Sequence, residues 1–423
     1  MAKPQIQSLR GMNDIFPPEA DYLQQLHERI HTVLACYGYH PLQLPLLEQT
    51  GLFKRAVGEE TDVVSKEMYT FNDRNDESIT LRPEATAGVV RAMIQHGKLQ
   101  QPQRVYAEGP MFRYERPQKG RSRQFSQVSV EAFGMADAAL DAELITICAD
   151  LFRRLGVLDL LTLELNTIGL ADERHAFQQA LVAYLQNHED ALDDDSCRRL
   201  TTNPLRILDS KNAGVQTLLD GAPVLDDYLG DESRAHFARL TALLDALGIA
   251  WQRNPRLVRG LDYYCHTVFE WTTAALGAQG TVTAGGRYDG LVEQLGGKPT
   301  PAAGFAFGIE RIMLLAQQRD TFRTTPPLVY AIATADAHLA LLLPLVQTLR
   351  ARGISVVAHN QSQPLKTQIR RADLEGAYYA LIIGDEEAAS HSAALKNLRD
   401  GSQHTLPLAD LPAYLEAHHK ETP

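Results

Sequence analysis

Cysteine is scarce in this sequence, and the few cysteines stand apart. The chain has four among 423 residues, and none belongs to a Cys-x-x-Cys pair. A disulfide framework and a zinc site of the usual ligand spacing are therefore both disfavoured. The cysteines are Cys36, Cys148, Cys197 and Cys265.

Long apolar runs are also missing. No uninterrupted apolar stretch approaches the length that spans a bilayer, and the opening residues MAKPQIQSLRGMNDIFPPEA contain no apolar signal-peptide core. The GxxxxGK[ST] pattern of a phosphate-binding P-loop does not occur either. We therefore expect a cytoplasmic protein with no membrane partner, and any nucleotide must be bound without a P-loop.

Acidic residues outnumber basic ones, and the formal net charge is -11. Wholesale electrostatic binding of nucleic acid is thereby disfavoured, so an RNA partner would have to use local basic patches. Apolar residues make up 44% and charged residues 22% of the chain, as in ordinary globular proteins. A chain of this length is expected to form two or three domains.

One local basic patch lies in the stretch Tyr106–Gly134. An apolar run and an alternating run flank a central loop, which is the pattern of a β-hairpin. The loop carries Arg113, Arg116, Lys119, Arg121 and Arg123 beside a single acid, Glu115. Guanidinium groups match phosphate and carboxylate through paired hydrogen bonds. The loop indicates a site for a nucleoside triphosphate and a polynucleotide end, and a solvated basic turn is the alternative.

Other stretches predict the elements around this hairpin. Leu23, Leu26, Ile30 and Val33 recur at helical spacing in Glu19–Cys36. Pro41–Leu47 follows as a short strand with Pro45, which favours a sheet edge. This helix and strand suit either a subunit interface or a helix that covers a sheet within one subunit.

A second strand pair leads into a possible ligand site. Lys66–Phe71 and Ser78–Leu81 read as paired strands, and the second runs directly into Arg82–Gly88 and a helix. A strand that ends in a polar turn at a helix start is a good place for a ligand. There Glu84 either caps the helix or accepts hydrogen bonds from an ammonium group.

The remaining chain divides into a helical region, a second set of strands and a tail. Predicted elements are a helix at Asp141–Leu155, strands at Leu160–Asn166, Leu257–Trp271 and Ala303–Phe307, a glycine-rich stretch at Gln279–Gly297 and a helix from Ile309. Residues 170–252 are helical, acid-rich in patches and poor in strand pattern, which indicates an inserted domain. Gln317–Pro327 is polar and ends in paired prolines, as linkers do.

The tail alternates strands and helices. The strands are Leu328–Thr334, Ile354–Ala358 and Tyr378–Gly384, and the helices are Ala337–Arg352 and Leu365–Gly376. Such alternation predicts parallel strands joined by right-handed crossovers in a compact α/β domain.

Five motifs together resemble one family. They are LRPEATAG (Leu81–Gly88), GPMFRYERPQKGRSRQF (Gly109–Phe125), LVRGLDYY (Leu257–Tyr264), AGGRYDGL (Ala284–Leu291) and GFAFGIER (Gly304–Arg311). In this order they resemble the bacterial histidyl-tRNA synthetases, which are class II aminoacyl-tRNA synthetases. The HIGH and KMSKS signatures of class I synthetases do not occur.

The resemblance implies a fold and an assembly. We expect an α+β catalytic domain at 1–325, an antiparallel sheet flanked by helices with a helical insertion at about 170–252. A C-terminal α/β anticodon-binding domain would cover 326–423. The Glu19–Cys36 helix and the Pro45 strand match the family's dimer-forming motif, so the resemblance implies a homodimer.

The implied reaction joins histidine to the 3′ end of tRNA(His) through a histidyl-adenylate made from ATP. Two anions, a carboxylate and an α-phosphate, must meet, and fixed cations relieve their repulsion. Arg113 and Arg259 match the catalytic arginines. ATP-binding matches are Arg113, Arg121, Phe125 and Arg311. Mg2+ is expected beside the pyrophosphate, with ligands that the motifs do not identify.

The resemblance also implies which residues select histidine and tRNA. Histidine-binding matches are Glu84, Ala85, Thr86, Arg113, Gln127, Glu131, Arg259, Tyr263, Tyr264 and Tyr288. Glu131 and Tyr264 would contact the imidazole nitrogens, whereas the pattern alone also fits a surface strand position for Glu131 and strand packing for the tyrosines. tRNA-binding matches at the loop tip are Arg116, Gln118, Lys119 and Arg123. In the tail, Arg350, Arg352, Lys366, Arg370 and Arg371 suit either an anticodon face or solvated helix surfaces.

One departure and one rival accompany this interpretation. Position 85 is Ala where related sequences often have Gly, and a required positive φ would make Ala costly there. We expect ordinary backbone geometry instead. The rival is the noncatalytic, synthetase-like regulatory subunit of ATP phosphoribosyltransferase, which generally lacks the anticodon domain and loses the family's arginines.

Overall fold

The structure, a computed structural model, describes residues 5–59, 61–259, 263–277, 280–319, 321–323, 326–358 and 364–419. Contacts divide the chain into two compact units, a first unit of Met1–Arg323 and a second unit of Thr324–Pro423. Within the described ranges, no helix combines the length and the apolar character needed to cross a membrane.

The first unit mixes strands and helices along its whole length. Its strands are β1 (His40–Leu42), β2 (Leu47–Gln49), β3 (Tyr69–Asn72), β4 (Ser78–Leu81), β5 (Gln103–Phe112), β6 (Gln124–Phe133), β7 (Thr162–Thr167), β8 (Gln252–Arg253), β9 (Cys265–Thr272), β10 (Thr281–Arg287) and β11 (Ala302–Gly308). Its α-helices are α1 (Glu19–Cys36), α2 (Thr50–Val57), α3 (Thr86–Gln95), α4 (Ala138–Arg154), α5 (Ala171–Gln186), α6 (Asp194–Thr202), α7 (Ala213–Leu219), α8 (Asp231–Ala246), α9 (Leu291–Gln294) and α10 (Ile309–Ala316).

An eight-stranded sheet forms the centre of this unit, in the order β1-β5-β6-β11-β10-β9-β7-β8. Neighbouring strands are antiparallel except in the pairs β1–β5 and β7–β8, which are parallel. The sheet has a core on each face, since Tyr106 packs with α1, α4 and α10 while its neighbours Val105 and Ala107 pack with α2 and α3. The expected α+β architecture is confirmed.

The basic stretch forms the predicted hairpin, and α1 has the predicted bounds. β5 and β6 pair from Gln103↔Phe133 to Phe112↔Gln124, so the basic loop joins two ten-residue strands. Helix α1 buries Leu26 and Ile30 against the sheet. The hairpin therefore holds its loop at a defined end of the central sheet.

Three strand predictions differ most from the observed strands. Pro41–Leu47 is two strands in different sheets, because Pro45 lies between β1 and the small sheet β2-β4-β3. The strand expected from Lys66 begins at Tyr69, after a π-helical turn at Val63–Glu67. The strand expected from Leu257 begins at Cys265, since the Asn166 side chain binds the Leu257 carbonyl oxygen and holds that residue in a loop.

Parts of three sequence predictions lie outside the described residues. They are residues 260–262 of the strand expected from Leu257, Gln279 at the start of the glycine-rich stretch, and residues 320, 324 and 325 of the linker.

Residues 170–252 are helical, as the sequence pattern predicts, and they share the cores of the first unit. Helix α8 packs Leu240 and Leu244 into the core that contains α4. Helix α5 packs Phe177 and Leu181 into the core on the other face. The helical region is thus attached to both sides of the sheet.

The second unit is an α/β domain with a five-stranded sheet. Its elements are β12 (Val329–Ala333), α11 (Leu339–Ala351), β13 (Val356–Ala358), α12 (Leu365–Leu374), β14 (Tyr379–Ile383), α13 (Asp385–Ala389), β15 (Ser392–Asn397), β16 (Gln403–Pro407) and α14 (Leu411–His419). The order is β13-β12-β14-β15-β16, and β12, β13 and β14 are parallel, as predicted. Antiparallel strands β15 and β16 extend the sheet beyond the predicted elements.

Candidate active site

A cavity of about 1150 Å³ opens on the face of the central sheet that carries α3. Hairpin residues, the start of α3, strands β9 to β11, the start of α10 and parts of the helical region line it. The predicted site residues among its lining are Glu84, Thr86, Arg113, Arg121, Phe125, Gln127, Glu131, Arg259, Tyr263, Tyr264, Tyr288 and Arg311. Residues separated by more than 200 positions in the chain therefore meet in one cavity.

The floor of the cavity holds the buried carboxylate of Glu131. This side chain is 1% exposed, so the surface position allowed by the strand pattern is excluded. Thr86 Oγ1 and Ser129 Oγ each donate to its Oε1 at 2.6 Å, and the Tyr288 hydroxyl donates to its Oε2. Three hydroxyl donors thus fix the carboxylate in one orientation.

Burial raises the pKa of Glu131 to about 7, although the hydroxyl donors oppose this shift. Space for the carboxylate depends on Gly304 of β11, which pairs with Glu131. A Cβ on residue 304 would overlap Glu131 Oε2 and lie 2.5 Å from the Val130 carbonyl oxygen. The motif GFAFGIER therefore starts with a glycine that makes room for the acid.

Tyr263, Tyr264 and Tyr288 form an aromatic wall beside Glu131. The ring centroids of Tyr263 and Tyr264 are 4.7 Å apart, and Tyr288 meets Tyr263 edge-on at 5.6 Å. Burial raises the pKa of all three hydroxyl groups, so they remain protonated donors at neutral pH. The wall and the carboxylate together make a pocket for a planar ring with N–H groups.

Glu84 caps helix α3 and also lines the cavity. Its carboxylate accepts from the Thr86 N–H at 2.7 Å and from the Ala87 N–H at 3.0 Å. Ala85 has φ -103°, so the backbone at this position is ordinary and no glycine is required. The Ala85 side chain is buried in the apolar core and is not part of the cavity lining, so the assignment of residue 85 to the histidine site stays a prediction.

Arg259 enters the cavity from the loop before β9. Its Nη1 donates to Glu270 Oε1, and the Tyr264 ring lies 5.6 Å from its guanidinium carbon. Burial alone would lower the pKa of Arg259, but the Glu270 carboxylate raises it. Its buried Nε has no hydrogen-bond partner among the described residues. The group is therefore a fixed cation with a donor left over for a ligand.

Arg113 and Arg311 approach the same cavity from the hairpin and from α10. Arg113 Nε donates to the Pro83 carbonyl oxygen at 2.8 Å, and its guanidinium carbon lies 5.5 Å from the Phe125 ring centroid. Arg311 Nη1 donates to the Thr281 carbonyl oxygen. Burial is the largest cause that lowers the pKa of Arg311, and the neighbouring Arg121 cation lowers it further. An anion among these cations would relieve their mutual repulsion.

The hairpin loop divides into an inner and an outer part. Arg121 lines the cavity and forms an ion pair with Glu115 at 2.7 Å. Arg123 lies on the Tyr114 ring at 3.8 Å, outside the cavity lining. The loop tip is exposed and also lies outside the lining, and its residues include Arg116, Gln118 and Lys119. Part of the basic loop therefore faces the site, and the rest faces solvent.

Several lining residues were not predicted from the sequence. Thr281 lines the cavity and donates to Glu270, and Ser129, behind the lining, donates to Glu131. Glu270 lies in the strand segment HTVFEW, where an acid among apolar residues was an available signal. Glu310 accepts from the Ser126 N–H at 2.7 Å, and burial raises its pKa. The helical region adds Arg206, Lys211 and Gln216 to the lining, and Arg256 joins them from the segment just before Arg259. Nothing in the local sequence pattern of that region indicated this placement.

No metal centre is formed by the protein alone within the described residues. Among them, no group of three or more His, Cys, Asp and Glu side chains is placed to hold an ion. The cavity does contain the carboxylates of Glu270 and Glu310. One or two carboxylates are what Mg2+ uses in proteins when phosphate oxygens and water complete its coordination.

Family models match both units of the chain. The model described as histidyl-tRNA synthetase matches residues 11–312, and the model described as anticodon binding domain matches residues 328–418. The crystal structure of apo histidyl-tRNA synthetase from S. aureus is 34% identical, with a TM-score of 0.81 over 97% of this chain and 99% of that chain.

Two further solved structures share the fold at lower identity. Histidyl-tRNA synthetase from Nostoc sp. PCC 7120 is 21% identical, with a TM-score of 0.70 over 98% of this chain and 100% of that chain. A Bacillus halodurans protein titled ATP phosphoribosyltransferase regulatory subunit/histidyl-tRNA synthetase is 20% identical, with a TM-score of 0.62 over 87% of this chain and 97% of that chain. With its catalytic-type sheet, its anticodon-binding unit and these matches, the chain belongs to the histidyl-tRNA synthetase family.

Proposed function

We propose that this protein is a histidine–tRNA ligase. It activates L-histidine with ATP to form histidyl-adenylate and pyrophosphate, and then transfers the histidyl group to the 3′ end of tRNA(His). One observation carries the proposal: the guanidinium groups of Arg113, Arg259 and Arg311 line the same cavity as the buried carboxylate of Glu131.

The carboxylate of Glu131 and the aromatic wall select the imidazole. Imidazole has a donor and an acceptor when neutral and two donors when protonated. Glu131 accepts from one ring nitrogen, and Tyr264 faces the other. A site of buried polar groups rejects an apolar isostere by roughly four to five orders of magnitude.

The α-ammonium group of histidine donates to Glu84, Thr86 and Gln127. All three line the cavity beside Glu131. The buried Gln127 Oε1 has no other partner among the described residues, so an ammonium donor would satisfy it.

The arginines assist the attack of the histidine carboxylate on the α-phosphorus of ATP. The carboxylate is already ionised, so the step needs no base, and a C–O–P bond forms as the bond to pyrophosphate breaks. Arg113 of the hairpin bridges the carboxylate and the α-phosphate, and Arg259 of the loop before β9 also binds the α-phosphate. Fixed cations lower the barrier because they need no reorganisation as charge moves.

ATP is held by its adenine and its phosphates. Phe125 stacks on the adenine ring, and Arg121 and Arg311 bind phosphate oxygens. Mg2+ would lie on the pyrophosphate side, where Glu310 is the carboxylate with fewer partners among the described residues, because Glu270 already binds Arg259 and Thr281. The ion supplies charge neutralisation to the leaving pyrophosphate.

tRNA(His) is bound by both units. The outer part of the hairpin loop binds the acceptor end, and phosphate contacts of this kind position a nucleic acid. The residues are Arg116, Gln118, Lys119 and Arg123. The domain at 326–423 binds the anticodon, and the catalytic domain covers 1–325 with the helical insertion at about 170–252.

We further infer a cytoplasmic homodimer in which α1 and the segment around Pro45 form the subunit contact.

Histidine-dependent exchange of pyrophosphate into ATP tests the proposal, followed by charging of tRNA(His). The ligase shows both activities. A folded protein that binds histidine without either activity would instead act as the noncatalytic regulatory subunit of ATP phosphoribosyltransferase. Exchange that responds equally to other amino acids would refute the selection of histidine.

A further inference from the structure

A buried ion pair lies behind the aromatic wall, outside the cavity lining. Arg287 at the end of β10 is 0% exposed, and Asp141 of α4 is 1% exposed. Arg287 Nη2 donates to Asp141 Oδ1 at 2.6 Å, and Arg287 Nε donates to Oδ2 at 3.4 Å. The pair joins the sheet to α4 at the point where β10 reaches the histidine pocket.

The other donors of Arg287 are also occupied. Nη1 donates to Asp289 Oδ1 at 3.1 Å and to the Met135 carbonyl oxygen at 3.0 Å, and Nη2 donates to the Asp137 carbonyl oxygen at 3.3 Å. A planar guanidinium with all its directions used has one orientation. Arg287 is thereby a rigid bridge between Asp141 and Asp289.

Tyr288 lies between Arg287 and Asp289 in the chain. Its N–H donates to the Ala302 carbonyl oxygen at 2.8 Å, and the Ala302 N–H donates to Asp289 Oδ1 at 2.9 Å. Arg287 binds Asp141 of α4 while Tyr288 lines the cavity, so these two successive side chains point to opposite sides. The backbone on both sides of Tyr288 is therefore held by groups that lie outside the cavity lining.

Two more groups bind Asp141. Thr267 Oγ1 of β9 donates to Asp141 Oδ2 at 2.6 Å, and His236 Nε2 of α8 lies 2.8 Å from the same oxygen. The network thus reaches the helical region and the strand that follows Tyr264. Replacement of a buried ion pair by apolar side chains is often neutral or stabilising, so stability alone is a weak reason for this pair.

We propose that Arg287, Asp141 and Asp289 are positioning residues that hold the Tyr288 hydroxyl against Glu131 and so set the affinity of the site for the imidazole of histidine. The inference rests on the proposed function, because that function makes Glu131 and its partner Tyr288 part of the histidine pocket. Displacement of Tyr288 by a fraction of an ångström would loosen its bond to Glu131 and leave the phosphate-binding arginines in place.

Asp289→Ala tests the proposal, because it removes one end of the bridge while Arg287 keeps its Asp141 partner. We expect the dissociation constant for histidine, measured by calorimetry, to rise about tenfold, with ATP affinity within about twofold of the wild type. Asp289→Asn retains the acceptor oxygen and should restore most of the histidine affinity. Glu293→Ala, an exposed acid in the neighbouring helix α9, is the matched control and should bind histidine normally.

Normal histidine affinity in Asp289→Ala, or equal losses for histidine and ATP, would overturn the positioning role. If that variant fails to fold, the same two affinities are measured in Thr267→Val, which removes one donor to Asp141 and retains the side-chain shape. The same outcomes then support or overturn the positioning role. Calorimetry needs no turnover, so these outcomes are separate from those of the exchange assay. Absent exchange with the expected histidine losses refutes the proposed ligase activity and supports the positioning role.

Discussion

At the scale of single residues, the burial of the Glu131 side chain is electrostatically costly. The carboxylate is buried, and among the described residues its side-chain donors are all hydroxyl groups. Desolvation therefore outweighs its hydrogen bonds, and its pKa rises to about 7. This acid is thus partly protonated at neutral pH in the free protein, and an imidazole N–H would supply a further donor to its charged form.

Glu131→Gln should change the pH dependence of stability. The folded-state pKa lies above that of an unfolded glutamate, so the stabilising effect of proton uptake is present below pH 4.5 and is lost as the pH rises through about 7. The wild type should lose up to about 3 kcal/mol between these pH values from this group, and the variant should not. Urea titrations of both proteins at several pH values measure this difference.

The same variant separates histidine selection from ATP binding. Glu131→Gln places an amide donor where the carboxylate presents only acceptors, so histidine affinity should fall more than ATP affinity. Calorimetry with each ligand provides the measurement. A drop confined to ATP would show that Glu131 does not contact the imidazole.

Gly304→Ala should disable the histidine pocket by steric overlap with Glu131. The added Cβ has no room beside the carboxylate and the Val130 carbonyl oxygen, so the acid or the strand must move. We expect a stability loss of about 1–3 kcal/mol and a large loss of histidine affinity, measured by urea titration and calorimetry. Gly290→Ala is the control, since its Cβ would meet no atom of the described residues within 4 Å. Equal behaviour of the two variants would contradict this account of Gly304.

At the scale of elements, the proposed function gives the loop of hairpin β5–β6 two binding tasks. Its inner residues Arg113 and Arg121 line the cavity, and its outer residues Arg116 and Lys119 are exposed. An ion pair with Glu115 neutralises part of the loop's charge, and a neighbouring tyrosine ring covers another part. The loop is thus neither a purely solvated turn nor a uniform anion site.

The double variant Arg116→Ala/Lys119→Ala should affect tRNA alone. Loss of two phosphate contacts should weaken tRNA binding about tenfold and lower the slope of log affinity against log salt by about 2. Histidine-dependent exchange should be unchanged. Arg74→Ala, an exposed cation on the β3–β4 turn, serves as control, and an equal loss of tRNA affinity there would indicate nonspecific charge effects.

Periodicity predicted the elements better than it predicted the site. Helix α1, the hairpin and the parallel strands β12, β13 and β14 follow from apolar spacing, which is a local property. Two features of the site depend instead on contacts between distant segments. Arg259 of a loop pairs with Glu270 of β9, and Gly304 of β11 leaves room for the Glu131 carboxylate of β6. β15 and β16 were missed because polar residues such as Lys396 and Gln403 weaken their alternation.

The site residues came from motif resemblance rather than from spacing. Spacing alone left strand packing open for Tyr263 and Tyr264, and it left a surface position open for Glu131. Those alternatives differ in which distant strands and helices cover each residue, and a local pattern does not contain that information.

At the scale of the whole molecule, the chain forms two units with separate cores. The apolar clusters of the second unit lie between Leu328 and Leu415. Each unit therefore has what independent folding requires. The division matches the separation of adenylate chemistry from anticodon binding in the proposed function.

Residues 326–423 expressed alone should fold, and residues 1–323 alone should keep exchange while losing tRNA charging. Calorimetry of the isolated second unit should show one cooperative transition with an enthalpy of roughly 60–80 kcal/mol. Full charging of tRNA by residues 1–323 would contradict the assignment of anticodon binding to the second unit.

The central claim is that fixed cations from distant parts of the chain relieve the repulsion between a carboxylate and an α-phosphate. Arg259→Ala removes one of these cations, and Arg239→Ala, an exposed arginine of α8 whose Nε contacts Asp137, is the matched control. With both proteins folded by circular dichroism, the rate of histidine-dependent pyrophosphate exchange should fall by about 10²–10³ in Arg259→Ala alone. A rate near that of the wild type in Arg259→Ala would contradict the account.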